Sequence, residues 1–327
     1  MNFRLTFPVT PFPSPLQYSD RLLLVGSCFA EEIGTRLAGH YFDAHVNPHG
    51  ILYNPISITQ AIHSYLDNKV YTREDLFQQG DLWHSWDHHS RFSGLDPEVV
   101  LAGINAQQAA ASKRLEEADW LMITLGSAHT YTLQESGKVV GNCHKVPASA
   151  FYKKMLTAQD IISAIDNAMH RLFFRNRKVK ILFTISPVRY ARDGVVENNL
   201  SKAILLQAVH HMVNKFDRLF YFPAYELVVD DLRDYRFYKE DLVHPNEMAI
   251  DYVWEHFIKA GLTADDQPLL TQIIELNRAA AHRPFNPEGK QHQQFVQHYI
   301  KKVEHLMQQH PALPLQHLLN SFTGQLK

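Results

Sequence analysis

The chain has 327 residues, of which 45% are hydrophobic and 20% charged, values that are typical of a globular protein with a sizeable core. The formal net charge at pH 7 is −2, from 32 basic and 34 acidic residues, and no basic block occurs. This balance gives no electrostatic support for nucleic-acid binding, so we expect a small-molecule ligand and no nucleic-acid partner.

The amino-terminal segment does not resemble a secretory signal. Its apolar run at 22–25 is too short, and Pro8, Pro11, Pro13 and Pro15 interrupt the residues before it. No stretch of sequence approaches the ~20 apolar residues of a membrane span. The two cysteines are expected to be reduced, and we predict a cytoplasmic protein.

Apolar runs alternate with helical patterns between residues 21 and 260. Strands are predicted at 21–25, near 41–46, and at 120–125, 179–185 and 218–222. Helices are predicted at 28–38, 55–66, 157–173, 197–216 and 246–260. This alternation favours an α/β fold, a three-layer α/β/α sandwich with a central, mainly parallel sheet. Ligands of such sheets bind outside the carboxyl ends of the strands.

A serine lies at the first predicted strand-to-helix turn. Ser27 follows the apolar run at 22–25 and precedes a helical pattern that begins with Glu31 and Glu32. The free backbone N–H groups at such a helix N-terminus can hold an oxyanion, so a nucleophilic serine fits this position. The alternative is a serine that only caps the helix.

Residues 67–118 are too long for one crossover connection. We expect an insertion there that forms a lid over the cleft. It contains His84, Asp87, His88 and His89, residue types that bind metals. Adjacent His88 and His89 on a strand would point to opposite faces, so we predict no metal site.

Asp241 and His244 lie three residues apart, immediately before Pro245. Proline at the start of the helix predicted at 246–260 leaves the pair on the preceding loop. There the aspartate can accept a hydrogen bond from one imidazole nitrogen, and the other nitrogen can take a serine proton. The alternative is a polar loop that caps the helix. Ser27 together with this pair is more specific than either motif alone.

The C-terminal part, residues 261–327, is polar and rich in glutamine and histidine. Helices are predicted at 269–281 and 292–309. We expect a helical extension to a domain spanning 1–260. It either packs on that domain as a hairpin or forms a dimerisation arm, which would make the protein a homo-oligomer.

Residues 26–30 read Gly-Ser-Cys-Phe-Ala, the motif that names the GSCFA family, a branch resembling the SGNH/GDSL hydrolases. Asp241-x-x-His244-Pro245 resembles the last block of that superfamily, which supplies the acid and base of a Ser-His-Asp triad. Segments 47–55, 124–127, 142–147 and 186–189 resemble the family as well. The resemblance covers about residues 20–260. It implies an SGNH-like fold and the triad Ser27, Asp241 and His244, and we expect no cofactor.

The chain departs from typical SGNH enzymes at one block. Those enzymes carry Gly-x-Asn-Asp after a central strand, and the Asn side chain completes the oxyanion hole. Here Gly126-Ser127-Ala128-His129 follows the strand predicted at 120–125, so Ala128 stands in place of the asparagine. The missing donor must come from elsewhere in the chain or be absent.

Several residues are expected to bind the oxyanion or the substrate. The backbone N–H groups of Ser27 and Gly50 are expected to be two oxyanion donors. Asn54 is expected near the Ser27 hydroxyl as the third donor, and its alternative role is the N-cap of the helix that begins at Pro55. The other residues expected to line the cleft are Gly126, His129, Asn142 and His144; His129 and Asn142 are the other candidates for the third donor.

The resemblance implies hydrolysis of a small-molecule acyl ester. Ser27 would attack the acyl carbonyl, His244 would act as general base and then general acid, and Asp241 would fix the imidazole tautomer. An O-acylated carbohydrate, such as an acetylated sugar, is the first candidate substrate. Three alternatives stay open: acyl transfer to another hydroxyl, a non-catalytic ligand-binding module, and metal-assisted hydrolysis through residues 84–89.

Overall fold

The structure is a computed structural model that describes residues 4–326. Its strands are β1 (Arg21–Gly26), β2 (Asp43–Val46), β3 (Leu76–Gln79), β4 (Leu82–Ser85), β5 (Trp120–Leu125), β6 (His129–Leu133), β7 (Phe151–Met155), β8 (Lys180–Ile185) and β9 (Leu219–Tyr221). Its helices are α1 (Cys28–Gly39), α2 (Pro55–Leu66), α3 (Pro97–Glu117), α4 (Ala158–Arg175), α5 (Val195–Lys215), α6 (Ala224–Glu226), α7 (Glu247–Gly261), α8 (Asp266–Ala281), α9 (Lys290–Gln309) and α10 (Gln316–Thr323). A π-helical turn at Leu227–Leu232 continues α6.

Five strands form one parallel sheet in the order β2-β1-β5-β8-β9. The chain winds outward in both directions from β1 and β5, so the strand order reverses between these two central strands. In doubly wound sheets the crevice at this switch point, at the carboxyl ends of the strands, is the usual ligand site. The turns after β1 and β5 therefore mark the place to look for chemistry.

Alternate residues of the central strands belong to two different cores, because successive side chains of a strand point to opposite faces. Leu23 and Leu121 pack with the core that includes residues of α2 to α5. Leu22 and Trp120 pack with the core that includes residues of α1 and α7. Helices thus cover both faces of the sheet, which confirms the predicted three-layer α/β/α sandwich.

The segment predicted as an insertion divides into two parts. The antiparallel hairpin β3–β4 packs with the start of α3 through Tyr71, Leu76 and Val100. The end of α3 contributes Ala111 and Leu115 to the main core. That end of α3 is therefore a layer of the sandwich, and the added part is the hairpin with its flanking loops.

The C-terminal helices α8 to α10 share an apolar core of their own. Ile273, Val296, Val303 and Phe322 are fully buried in it. The extension contacts the sandwich at the end of α1, where the Asn277 amide donates to the Gly39 carbonyl oxygen (2.8 Å). Across residues 4–326, none of the helices combines the length and apolar character required to cross a lipid bilayer.

Candidate functional site

Ser27 lies at the switch point, directly after β1, and its side chain is buried. It caps α1, since its Oγ accepts a hydrogen bond from the Phe29 N–H (3.3 Å). The Gly26 position admits no side chain, because an added Cβ would lie 2.2 Å from the Thr124 carbonyl oxygen. This close approach of β1 to β5 sets the serine against the neighbouring strand.

Gly126, the first residue after β5, packs against the serine. A Cβ added at Gly126 would lie 3.4 Å from the Ser27 Cβ and 3.3 Å from the Tyr53 ring. The N–H groups of Gly126 and Ser127 both donate to the Tyr53 carbonyl oxygen (2.8 and 3.0 Å). The turn after β5 and the loop before α2 therefore meet at Ser27.

Asp241 and His244 are hydrogen bonded to each other. Asp241 Oδ2 and His244 Nδ1 are 2.7 Å apart, and Asp241 Oδ1 accepts the N–H groups of Val243 and His244 (2.9 Å each). The His244 backbone N–H, followed by that of Val243, lowers the pKa of Asp241 to about 2. The carboxylate therefore stays ionised at neutral pH and fixes the orientation of the imidazole ring.

The loop of Asp241 and His244 is attached to the carboxyl edge of the sheet. The Arg189 N–H, in the turn after β8, donates to the Val243 carbonyl oxygen (3.2 Å). The His244 side chain is 42% exposed, whereas Ser27 is buried. No hydrogen bond joins His244 to Ser27 within the part of the chain that the structure describes.

The two backbone N–H groups predicted as oxyanion donors are engaged elsewhere. Gly50 has φ +76° and closes a turn by donating to the Asn47 carbonyl oxygen (2.7 Å). Ser27 donates its N–H to the Thr124 carbonyl oxygen (3.1 Å), which extends the β1–β5 ladder by one bond. Neither is a free donor in this structure, because turn closure and strand pairing use both groups.

Asn54 caps the N-terminus of α2, which was the predicted alternative to its role as an oxyanion donor. Its Oδ1 accepts the Ser57 N–H (2.8 Å), and its Nδ2 donates to the Ser57 Oγ (3.0 Å). The side chain is 5% exposed, so both amide atoms serve the first turn of α2. We expected the Asn54 amide to lie near the Ser27 hydroxyl. Among the described residues, no contact between the two side chains supports this expectation.

Asn142 and His144 belong to one turn under the β3–β4 hairpin. Asn142 Oδ1 accepts the His144 N–H (2.8 Å), and the His144 Nε2 lies 2.8 Å from the Ser85 carbonyl oxygen. The His144 ring packs against the rings of Phe77 and His84, and burial lowers its pKa to about 4. These contacts place the His144 ring in the packing of the hairpin.

His129 is held by a set of hydroxyl groups that the sequence did not single out. Ser127 Oγ accepts the His129 N–H (3.1 Å) and lies 3.2 Å from the ring Nδ1. Ser201, from α5, accepts the Ala128 N–H (2.8 Å). Burial, and then Lys153, lowers the pKa of His129. The ring is therefore neutral at pH 7 and fixed within the 126–129 turn.

Residues of α5 were missed at the sequence level. Asn198, Ser201 and Lys202 are polar side chains on the buried side of this helix. Their spacing in the sequence could have revealed them, because residues three or four positions apart lie on the same face of a helix. They contact the turns that follow β5 and β8.

The histidines at 84–89 make hydroxyl and ring contacts. His84 Nδ1 lies 2.6 Å from Ser93 Oγ, and His88 Nδ1 lies 2.9 Å from Ser85 Oγ. The His88 ring stacks on His49 with centroids 4.2 Å apart. Among residues 4–326, no group of three or more His, Cys, Asp or Glu side chains is arranged to hold a metal ion. Cys28 and Cys143 are both free thiols.

Comparison with known proteins gives a family. The model of the GSCFA family matches residues 21–257, and the model of the GSCFA domain protein, C-terminal domain, matches residues 273–327. No curated protein matches the chain significantly. A solved structure that is similar is an acetyl xylan esterase, Est2A, from the rumen bacterium Butyrivibrio proteoclasticus, with 11% sequence identity and a TM-score of 0.37. The match covers 75% of this chain and 64% of that enzyme.

Proposed function

Because the chain belongs to the GSCFA family, we propose that it is a serine hydrolase of the SGNH type that cleaves acyl esters. The observation that carries the proposal is the hydrogen bond between Asp241 and His244 (2.7 Å) on a loop tied to the carboxyl edge of the sheet. Ser27 lies at the switch point of that same edge. A nucleophile, a base and an acid in these places are the parts of acyl transfer through a covalent intermediate.

The mechanism assigns one role to each member of the triad. The Asp241 carboxylate accepts the Nδ1–H of His244, so the lone pair of Nε2 is free to take a proton. Substrate binding brings Nε2 to the Ser27 hydroxyl, and the deprotonated Oγ attacks the acyl carbonyl. His244 then protonates the departing alcohol, and water releases the acyl group by the same steps in reverse order.

His129 is the side chain that we assign as oxyanion donor in place of the missing asparagine. The role requires the ring proton of the neutral imidazole on Nε2, with Nδ1 accepting from the Ser127 hydroxyl 3.2 Å away. His129 starts β6, three residues beyond the glycine that packs against Ser27. One such donor is worth about 10²–10³ in turnover.

An acylated carbohydrate is the first substrate to try, since the superfamily that the chain resembles acts largely on such esters. Acyl transfer to a second hydroxyl uses the same covalent intermediate and differs only in the acceptor. A ligand-binding module that keeps the cleft is the second candidate, favoured by Ala128 in place of the oxyanion asparagine.

The test is an activity panel run with matched serine variants. Wild type, Ser27→Ala and Ser163→Ala, an exposed serine on α4, are assayed with p-nitrophenyl acetate, acetylated methyl glycosides and longer acyl esters. A fluorophosphonate probe is applied to all three proteins. We expect labelling and hydrolysis in wild type and Ser163→Ala and neither in Ser27→Ala. A wild type that binds acetylated sugars without turnover or labelling would favour the binding module.

A further inference from the structure

Lys202 is a lysine buried inside the sandwich. The residue is 1% exposed, and its Nζ donates to the carbonyl oxygens of Gly126 (2.6 Å) and Ser186 (2.7 Å). It forms no ion pair within residues 4–326. A buried ammonium without a carboxylate is unusual, since lysine is almost never fully buried unless it is paired.

The two carbonyl groups are the first after β5 and β8, on adjacent strands of the sheet. Lys202 therefore ties together the two turns at the carboxyl edge. Gly126, one of its partners, is the residue that packs against Ser27. The thiol of Cys28, the residue after Ser27, lies within electrostatic range of Lys202. The ammonium therefore holds the turn that packs against the candidate nucleophile.

Other side chains of α5 hold the same turns. Ser201 Oγ accepts the N–H of Ala128, and Asn198 Oδ1 accepts the N–H of Tyr190, each at 2.8 Å. These two hydrogen bonds fix the turn after β5 and the turn after β8. Lys202 is the member of this set that carries a charge.

Packing alone does not require that charge. A neutral donor could also hold the two carbonyl oxygens, because a hydrogen bond to a carbonyl does not require a charged donor. Burial lowers the pKa of Lys202 to about 7, so keeping it protonated at neutral pH costs stability. A positive charge near the point where an oxyanion forms stabilises that oxyanion. This benefit to the reaction explains why a buried charge is kept although it lowers the stability of the fold.

We propose that Lys202 is a positioning residue of the candidate ester-cleaving site, which holds the turns after β5 and β8 against Ser27 and lends its positive charge to the oxyanion that forms there. This role rests on the proposed function. It places a fixed charge near the reacting carbonyl in a site that lacks the usual oxyanion asparagine.

The charge gives the role a pH signature. The ionisable groups that face Lys202 are the Cys28 thiol of α1 and the Tyr225 phenol of α6. Burial raises the pKa of both groups above their ordinary values. Of these three groups, Lys202 is the one that loses its proton as the pH rises through about 7.

The experiment compares wild type with Lys202→Met and with Lys215→Met, a matched lysine on the exposed end of α5 that pairs with Asp166. For p-nitrophenyl acetate we expect kcat of Lys202→Met to fall by about 100-fold with KM within threefold, and the control to be unchanged. The ratio of wild-type to Lys202→Met kcat should decrease from pH 6 to 8.5, because wild type loses over this range the charge that distinguishes the two proteins.

A second variant separates the charge from the hydrogen bonds. Lys202→Gln keeps an N–H donor without a charge, and we expect it to recover part of the folded stability in circular dichroism melts but not the pH-dependent part of kcat. Unchanged kcat in Lys202→Met, a pH-independent ratio, or failure of both variants to fold would each overturn the proposal. A wild type without Ser27-dependent hydrolysis would overturn the proposed function and this role together.

Discussion

Ser27 combines a structural and a proposed chemical role at one hydroxyl group, and substitutions can separate the two. Ser27→Ala removes both the nucleophile and the cap on the Phe29 N–H, so ester turnover should fall by on the order of 10³-fold or more. The free energy of unfolding should fall by about 1 kcal/mol. Ser27→Asn retains a capping side chain but adds volume at a buried position, so it should lose turnover and also about 1–3 kcal/mol of stability through overpacking. Urea denaturation and ester assays measure the two effects, and undiminished hydrolysis in Ser27→Ala would refute the serine mechanism.

Asn54 and Asn142 give a second residue-level prediction. Asn54→Ala removes the cap of α2 and leaves Ser57 without two partners, so the protein should lose about 1–2 kcal/mol of stability with unchanged kcat. Asn142→Ala removes the acceptor of the His144 N–H. Thermal melts and kcat of both variants are compared. A fall in kcat confined to Asn54→Ala would return the oxyanion role to that residue.

At the residue scale, local partners could be predicted and distant ones could not. Asp241 and His244 are three residues apart, and proline after them fixes the loop, so their pairing follows from spacing. The Ser27 N–H donates to Thr124, nearly a hundred residues away. Whether a backbone donor is free depends on strand pairing of this kind, which a one-dimensional pattern does not contain.

At the element scale, continuous apolar runs and helix boundaries gave the best predictions. The expected bounds of β5 and α2 match those of the structure, because β5 is buried throughout and the Asn-Pro pair starts α2. The β6–β7 hairpin was not predicted. Its strands are partly exposed and carry Lys153 and Lys154, so they show no apolar run. The π-helical turn after α6 was also missed, since it has no distinctive sequence period.

Two buried histidines that pack beside the β3–β4 hairpin and its flanking loop predict acid sensitivity of the fold. Burial lowers the pKa of His49 and of His144 to about 4, below the ordinary value of 6.5. Their neutral forms therefore stabilise the fold above pH 6.5, and this contribution is lost as the pH falls towards 4. Each group adds up to about 1.4 kcal/mol per pH unit to the slope of stability against pH.

One substitution tests this element-level prediction. Asn tolerates the left-handed backbone that His144 adopts at φ +48° and takes up no proton. In His144→Asn, the free energy of unfolding should depend less steeply on pH between 6.5 and 4, because unfolding of the variant takes up as much as one proton fewer. Urea denaturation at each pH measures this slope. His317→Asn, on the exposed side of α10, serves as the control. An equal reduction of this slope in both variants would contradict the assignment of the pH dependence to His144.

At the scale of the whole molecule, the C-terminal extension and the candidate site lie at opposite edges of the sheet. The extension contacts Gly39 and Tyr41, between the end of α1 and the start of β2, whereas Ser27 follows the end of β1. Phe322→Ala should destabilise the core of α8 to α10 by about 3–5 kcal/mol. Limited proteolysis should then cut within 266–326 first, while ester turnover stays unchanged. A parallel loss of turnover would show that the extension supports the site.

The position of β1 at the centre of the sheet also has a consequence for how the chain matures during synthesis. Arg21, at the start of this strand, bonds to Asp119, 98 residues further along. A nascent chain must therefore extend past β5 before the strand that leads to Ser27 can be enclosed on both sides. Until then one edge of a strand with four consecutive buried apolar residues, 22–25, is open to other chains. Folding should be slow because of this high contact order, and molecules truncated before β5 should aggregate.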